Sequence, residues 1–238
     1  MEYIHNTEQF QFHNTVVALG KFDGMHKGHQ LIFDELIQYK QLGYQAAVFS
    51  FDRPPLNMLK HKHMRVIYTT NEKIKLLARR GIDIYIEHPF TDEFSHLSPE
   101  DFVIKVLLEK TGMKVLVVGD DCGFGYKRQG NVELLERMSK EYDFKLIVIP
   151  KLELEGEIVS STRIRHLLSE GKVEEANRLM EDPFMICGSV VHGNHMGAEV
   201  LQMPTANQIP LEDKLLPPNG VYVSRIHYKD ETYYGISN

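Results

Sequence analysis

Two histidines, His26 and His29, flank Gly28 within the string Gly20-Lys21-Phe22-Asp23-Gly24-Met25-His26-Lys27-Gly28-His29. An imidazole can donate a hydrogen bond to a phosphate oxygen, and a glycine lets a phosphate approach the backbone. The string follows an apolar run at 15–19 that reads as a short buried strand. It leads into Phe33, Leu36 and Ile37, spaced as one face of a helix. Strand, glycine-rich turn and helix start together gather unpaired backbone N–H groups and the positive end of the helix dipole. That arrangement suits chemistry on a nucleotide phosphate. Taken alone, the pair has a second reading, a surface coincidence in a chain with 12 histidines.

A second group of polar residues stands far downstream, Val159-Ser160-Ser161-Thr162-Arg163-Ile164-Arg165. The Ser/Ser/Thr run can cap a helix whose first turn carries Arg163 and Arg165. Hydroxyls, free N–H groups and two guanidiniums would together hold a polyphosphate. A plain N-cap with two solvent-facing arginines is the alternative in isolation. Lys21, Lys27, Lys127, Arg128, Arg163 and Arg165 cluster around glycines although the net charge is −6. Anion binding is therefore expected to be local, with no broad nucleic-acid footprint.

The elements that must position these residues alternate in type. Strands are predicted at 45–51, 82–86, 115–118 and 144–149, in addition to 15–19. Thr69-x-x-Glu72 is a capping-box pattern for a helix bearing Ile74, Leu77 and Ala78, ended by Gly81. Ser98-Pro99 supplies an N-cap and a first-turn proline ahead of Phe102, Val103, Val106 and Leu107. Further helices are expected at 132–142 and 174–180. This is the pattern of an α/β fold, a parallel sheet with covering helices, whose ligands bind at the carboxyl ends of the strands. From about Asp182 the helical period gives way to Gly, Pro and alternating β-formers, which read as a small barrel. A domain boundary is expected near 181–187.

The chain of 238 residues, 42% hydrophobic and 25% charged, has ordinary globular composition. No apolar run approaches the roughly 20 residues of a membrane span. The N-terminal residues lack the look of a signal peptide, so the cytoplasm is expected and no membrane partner. Cys122 and Cys187 stand far apart, which suggests neither a disulfide framework nor a thiolate zinc site.

The string from Gly20 to His29 resembles the G-x-F-D-G-x-H-x-G-H signature of nucleotidyltransferases that make FAD. Val117-Val118-Gly119-Asp120-Asp121 with Phe124-Gly125 is similar to the same family's V-G-x-D/N-F-x-F-G loop. Val159 to Arg165 is similar to its I-S-S-T-R-I-R motif. Asp182-Pro183-Phe184, the string from Gly188 to Gly193 and Pro204-Thr205-Ala206-Asn207 resemble the start of a riboflavin-kinase module. In this order the motifs resemble the bacterial bifunctional FAD synthetases, riboflavin kinase joined to FMN adenylyltransferase.

The resemblance implies a Rossmann-like nucleotidyltransferase domain at 1–182 and a partial β-barrel, riboflavin-kinase-like domain at 183–238. It implies transfer of AMP from ATP to FMN, giving FAD and pyrophosphate, with Mg²⁺ carried on the triphosphate and no dedicated metal site in the first domain. His26 and His29 would act at the α-phosphate. Ser161, Thr162 and Arg165 would hold the β- and γ-phosphates, with Arg163 as a helper. Gly20, Phe22 and Gly28 would line the ATP site. Asp52, Asp121 and Phe124 match flavin-pocket positions, although simple loop packing is an alternative for Phe124. Asp23 is expected to shape its turn through its side chain. In the second module Thr205 and Asn207 would bind Mg²⁺ and ATP.

Several departures stand beside the resemblance. Arg53-Pro54-Pro55 follows Phe51-Asp52 where the family usually has P-H-P. Cys122 and Gly123 replace larger residues in the flavin loop. Leu201-Gln202-Met203 stands for L-G-F, and Met196-Gly197-Ala198-Glu199 replaces a basic R-G-R loop. The chain stops before the segment expected to carry the kinase glutamate. Kinase activity is therefore expected only of a protein extending beyond residue 238. The rival functions are a related nucleotidyltransferase acting on phosphopantetheine or nicotinate mononucleotide, and a non-catalytic flavin or nucleotide sensor.

Overall fold

A run such as Thr-Val-Val-Ala-Leu has no polar face to offer water, so it must be covered on both sides. The computed structural model, which describes residues 1–52, 65–191 and 205–238, places it as β2 (Thr15–Leu19), buried at every position. Around it lie β1 (Glu2–His5), β3 (Gln45–Phe51), β4 (Ile84–His88), β5 (Met113–Gly119) and β6 (Lys145–Ile149). Their order is β1-β4-β3-β2-β5-β6, and every neighbouring pair is parallel. From β2 the chain steps outward through β3 to β4, then returns to build β5 and β6 on the other side. The direction of winding reverses between β2 and β5, and such a switch point opens a crevice at the carboxyl ends.

Successive residues of β2 point to opposite faces. Val16 and Ala18 pack with Phe33 and Leu36 of α1 (Lys27–Gln41), Leu77 of α2 (Thr70–Arg80), Leu168 of α6 (Ser161–Ser169) and Leu179 of α7 (Val173–Leu179). Val17 and Leu19 pack with the helices of the other face. These are α3 (Asp92–Ser95), α4 (Pro99–Asp101) with the π-helix that continues it (Phe102–Lys110), and α5 (Val132–Glu141). This is a doubly wound, Rossmann-like α/β sheet.

Local signals act as their chemistry requires. Thr69 and Glu72 form both halves of the capping box, and Gly81 closes α2 at φ 89°, where a side chain would be strained. Ser98 caps α4 with Pro99 behind it. Three differences from the sequence expectation have physical causes. Strand β4 begins at Ile84, because Ile82 N–H still bonds the Leu77 carbonyl of the preceding helix. The Phe102–Val106 stripe is buried as expected but wound wider than an α-helix, with Thr111 N–H on the Val106 carbonyl five residues back. Strand β1 is short and at the sheet edge. Its place is fixed by distant partners, among them the Tyr3 hydroxyl on Glu87 at 2.7 Å.

After β6 comes a hairpin of β7 (Glu153–Leu154) and β8 (Glu157–Ile158), then α6 and α7. Downstream, β9 (Gly188–Val191) pairs with β10 (Asn207–Pro210), and β11 (Tyr222–Tyr228) with β12 (Glu231–Ser237), both antiparallel. The expected barrel is thus represented by two separate strand pairs, and no closed barrel occurs among the described residues. The described strands do not pair β11–β12 with β9–β10, so Val223 and Tyr234 stay largely exposed. Arg53-Pro54-Pro55, the Met196–199 segment, Leu201-Gln202-Met203 and Pro204 lie outside the described residues. Among the described residues no helix is long and apolar enough to cross a membrane.

Candidate active site

Both glycine-rich loops leave the sheet at the switch point, one from β2 and one from β5. His26 is the N-cap of α1, and its Nδ1 accepts the His29 backbone N–H at 3.3 Å. The two imidazoles stack with centroids 3.6 Å apart, and Phe22 meets the His29 ring edge-on at 5.1 Å. Gly28 packs closely beneath the ring, since a Cβ would lie 3.2 Å from His26 Nδ1. Gly20 ends β2 and donates its N–H to the Phe49 carbonyl.

Burial sets the charge state of the pair. It lowers His26 to about 4, against a weaker upward pull from Asp121. Burial, and then His26 itself, hold His29 well below the ordinary histidine range. Both rings are neutral at pH 7. Because His26 Nδ1 already accepts a bond, its proton sits on Nε2, ready to donate. His29 Nδ1 is buried without a hydrogen-bond partner among the described residues.

The second polar group meets this turn directly. Ser160 caps α6, accepting from Arg163 N–H at 3.2 Å. Ser161 Oγ lies so close to Gly24 that a Cβ there would sit 3.3 Å away. Arg165 forms an ion pair with Asp23 and also donates to the Arg65 carbonyl. Asp23 therefore does more than shape its turn, because its other oxygen accepts the Ile67 N–H at 3.0 Å. Thr162 is exposed beside Ser161. Arg163 is turned toward the β7–β8 hairpin, pairing with Glu157 at 2.9 Å.

The candidate flavin residues lie on two loops at the carboxyl end of the sheet, after β3 and after β5, with β2 between them. Asp52 follows β3 and accepts the Phe90 N–H at 2.8 Å. Asp121 follows β5, pairs with Lys151 at 3.3 Å and is largely exposed. Phe124 is 5% exposed, tucked against Gly130 and 5.9 Å from the Phe102 ring. The Arg128 guanidinium lies over Gly123, 2.8 Å from where a Cβ would stand. The Cys122 thiol is pushed up to about 11, chiefly by burial. In the C-terminal part Thr205 and Asn207 are exposed, and Asn207 faces Val191 across β9–β10.

Sequence reasoning passed over an aromatic group beside Asp52. Phe51 approaches Phe90 at 5.5 Å and Phe94 at 5.7 Å, and Phe94 packs on His88 at 4.3 Å. The spacing of Phe49 and Phe51 on one strand face is the signal that was available. It also passed over a buried pair, Lys214 and Glu72, joined at 2.7 Å. Nothing in the local sequence marks that pair, whose members are 142 positions apart.

Comparison with known proteins adds the following. A family model described as FAD synthetase matches residues 8–163, and one described as riboflavin kinase matches residues 180–238. A bifunctional riboflavin kinase/FMN adenylyltransferase of Buchnera aphidicola subsp. Schizaphis graminum is 38% identical, over 99% of this chain and 76% of its own length. Its namesake in Listeria monocytogenes is 35% identical, over 99% of this chain and 76% of its own. That of Escherichia coli K12 is 32% identical, over 94% and 71%. Among solved structures, a crystal structure of a macrolide-efflux protein from Streptococcus pneumoniae superposes with a TM-score of 0.86 at 30% identity. That match covers 98% of this chain and 77% of the other.

Proposed function

The chain belongs to the FAD synthetase family and transfers AMP from ATP to FMN, giving FAD and pyrophosphate; we propose that the site built by the His26 turn and α6 is where this happens. The observation that carries the proposal is the contact between the two motifs, Asp23 on Arg165 and Gly24 against Ser161. Groups suited to the α-phosphate and groups suited to the leaving pyrophosphate thereby share one crevice.

In the proposed step an oxygen of the FMN phosphate attacks the α-phosphorus of ATP. A new P–O bond forms, the α–β bridging bond breaks, and pyrophosphate leaves with the electron pair. The attacking phosphate is already anionic, so the protein needs no nucleophile of its own. Its work is alignment and stabilisation of growing charge. His26 donates through Nε2–H, and His29 offers a second ring in a dry pocket where such bonds are strong. Arg165, steadied by Asp23, faces the β- and γ-phosphates with Ser161, Thr162 and the N-terminus of α6, while Arg163 assists from the hairpin side. Gly20, Phe22 and Gly28 bound the nucleotide. Asp52, Asp121 and Phe124 bound the flavin.

Magnesium, when bound, would neutralise charge on the triphosphate. Among the described residues no group of three or more His, Cys, Asp or Glu side chains is placed to hold an ion. Phosphate oxygens would be its main ligands in this proposal, as magnesium commonly accepts. We assign 1–182 to the adenylyltransferase domain and 183–238 to the kinase-like domain, with Thr205 and Asn207 as its Mg²⁺ and ATP contacts. The cytoplasm is the proposed compartment.

The deciding experiment is chromatography of products from ATP and Mg²⁺ with FMN, riboflavin, phosphopantetheine or nicotinate mononucleotide as acceptor. FAD is expected from FMN. Turnover with phosphopantetheine or nicotinate mononucleotide alone would overturn the proposed site chemistry, and FMN formed from riboflavin would assign kinase activity to this chain.

A further inference from the structure

Lysine is rarely buried without a purpose for its charge, yet the Lys214 side chain is fully buried and its ammonium makes three bonds. It donates to Glu72 Oε2 at 2.7 Å, to the Ile67 carbonyl at 2.6 Å and to the Met185 carbonyl at 2.6 Å. The Phe184 ring covers it at 4.4 Å. Glu72 is saturated in turn, accepting the Thr69 N–H at 2.8 Å and the Cys187 N–H at 2.7 Å. The strip 65–68 is thereby clasped from the C-terminal part of the chain. Val66 N–H bonds the Asp213 carbonyl, and Leu215 N–H the Val66 carbonyl, each at 2.7 Å.

The opposite edge of that strip carries the phosphate-binding machinery. Ile67 N–H is held by Asp23, the Arg65 carbonyl receives Arg165, and Asp23 and Arg165 are paired. One residue, Ile67, thus lies between Lys214 on its carbonyl and Asp23 of the Asp23–Arg165 pair on its N–H. We propose that Lys214 is a positioning residue for adenylyl transfer, fixing the 65–68 strip so that Asp23 presents Arg165 to the triphosphate. This rests on the adenylyl-transfer site proposed above, and it makes the C-terminal segment part of the ATP site's support.

The test uses the full chain. Lys214→Met strands a buried carboxylate and is expected to lower the melting midpoint. The double variant Lys214→Met/Glu72→Gln removes both charges together and should restore most of that loss. In the double variant KM for ATP is expected to rise about 10- to 100-fold, the scale of effect seen when a bound group is misplaced. KM for FMN should stay unchanged and kcat should change little. A folded double variant with the parent's KM for ATP overturns the proposal.

Hydrogen exchange on the parent protein gives an answer even if the variants do not fold. A non-hydrolysable ATP analogue should slow exchange at the Val66 and Leu215 amides, because coupling between the clasp and the nucleotide is reciprocal. Bound analogue with unchanged exchange there overturns the proposal. Failure of the parent to make FAD from ATP and FMN instead overturns the adenylyl-transfer site itself, so the two failures are distinct.

Discussion

At the scale of single residues, the proposed site depends on keeping two imidazoles uncharged but able to donate. His29→Ala removes one preorganised donor and is expected to lower kcat for FAD formation by about 10²–10³. Stopped assays of pyrophosphate release check this, and the urea midpoint shows that the fold survives. The same burial creates a pH dependence of stability. His26 titrates near 4 in the folded protein, against an ordinary value of 6.5 for the unfolded chain. Between those values the unfolded state binds more protons, so stability rises with pH through that window and is lost as pH falls. The urea midpoint should drop between pH 6.5 and pH 4.5, and His26→Gln should flatten that slope. An unchanged slope would mean that His26 titrates normally. Much of this was legible in the spacing of His26, Gly28 and His29. The neutral state was not, because it comes from burial beneath elements far along the chain.

At the scale of elements, two helix starts do the proposed positioning, α1 capped by the His26 ring and α6 by a short hydroxyl side chain. Ser160 is the cap of α6. Ser160→Ala should destabilise the fold by about 1 kcal/mol. It should also raise KM for ATP more than KM for FMN, since the frayed turn is the one carrying Ser161 and Thr162. Steady-state kinetics with each substrate varied checks the asymmetry, and equal effects on both would argue against phosphate binding at α6. The helix periods, the capping box at Thr69 and Glu72, and the stop at Gly81 could all be read from the sequence. Each of those signals acts within one turn of chain. The edge strand β1 could not, since its partners in β4 lie far along the chain. The start of β4 and the wide winding after Phe102 rest on single backbone bonds, Ile82 N–H to Leu77 and Thr111 N–H to Val106, that no side-chain pattern marks.

At the scale of the whole molecule, ligand binding and folding are linked. ATP at about 100 times its Kd should stabilise the parent protein by about 2.7 kcal/mol. Calorimetry should show a clear rise in Tm, and Arg165→Ala should abolish most of that rise while leaving the effect of FMN in place. An undiminished rise would remove Arg165 from the ATP site. The sequence by itself determined the class of fold and the order of the motifs, and pointed to phosphate chemistry at them. Those depend on local period, turn residues and side-chain type, which a linear string carries. Only the tertiary structure decided that Asp23 grips Arg165, that Arg163 faces Glu157, that Phe124 is packed beneath its loop, and that Lys214 meets Glu72. These pairings join residues distant in the chain, and close packing with desolvation, properties of the folded whole, selects them.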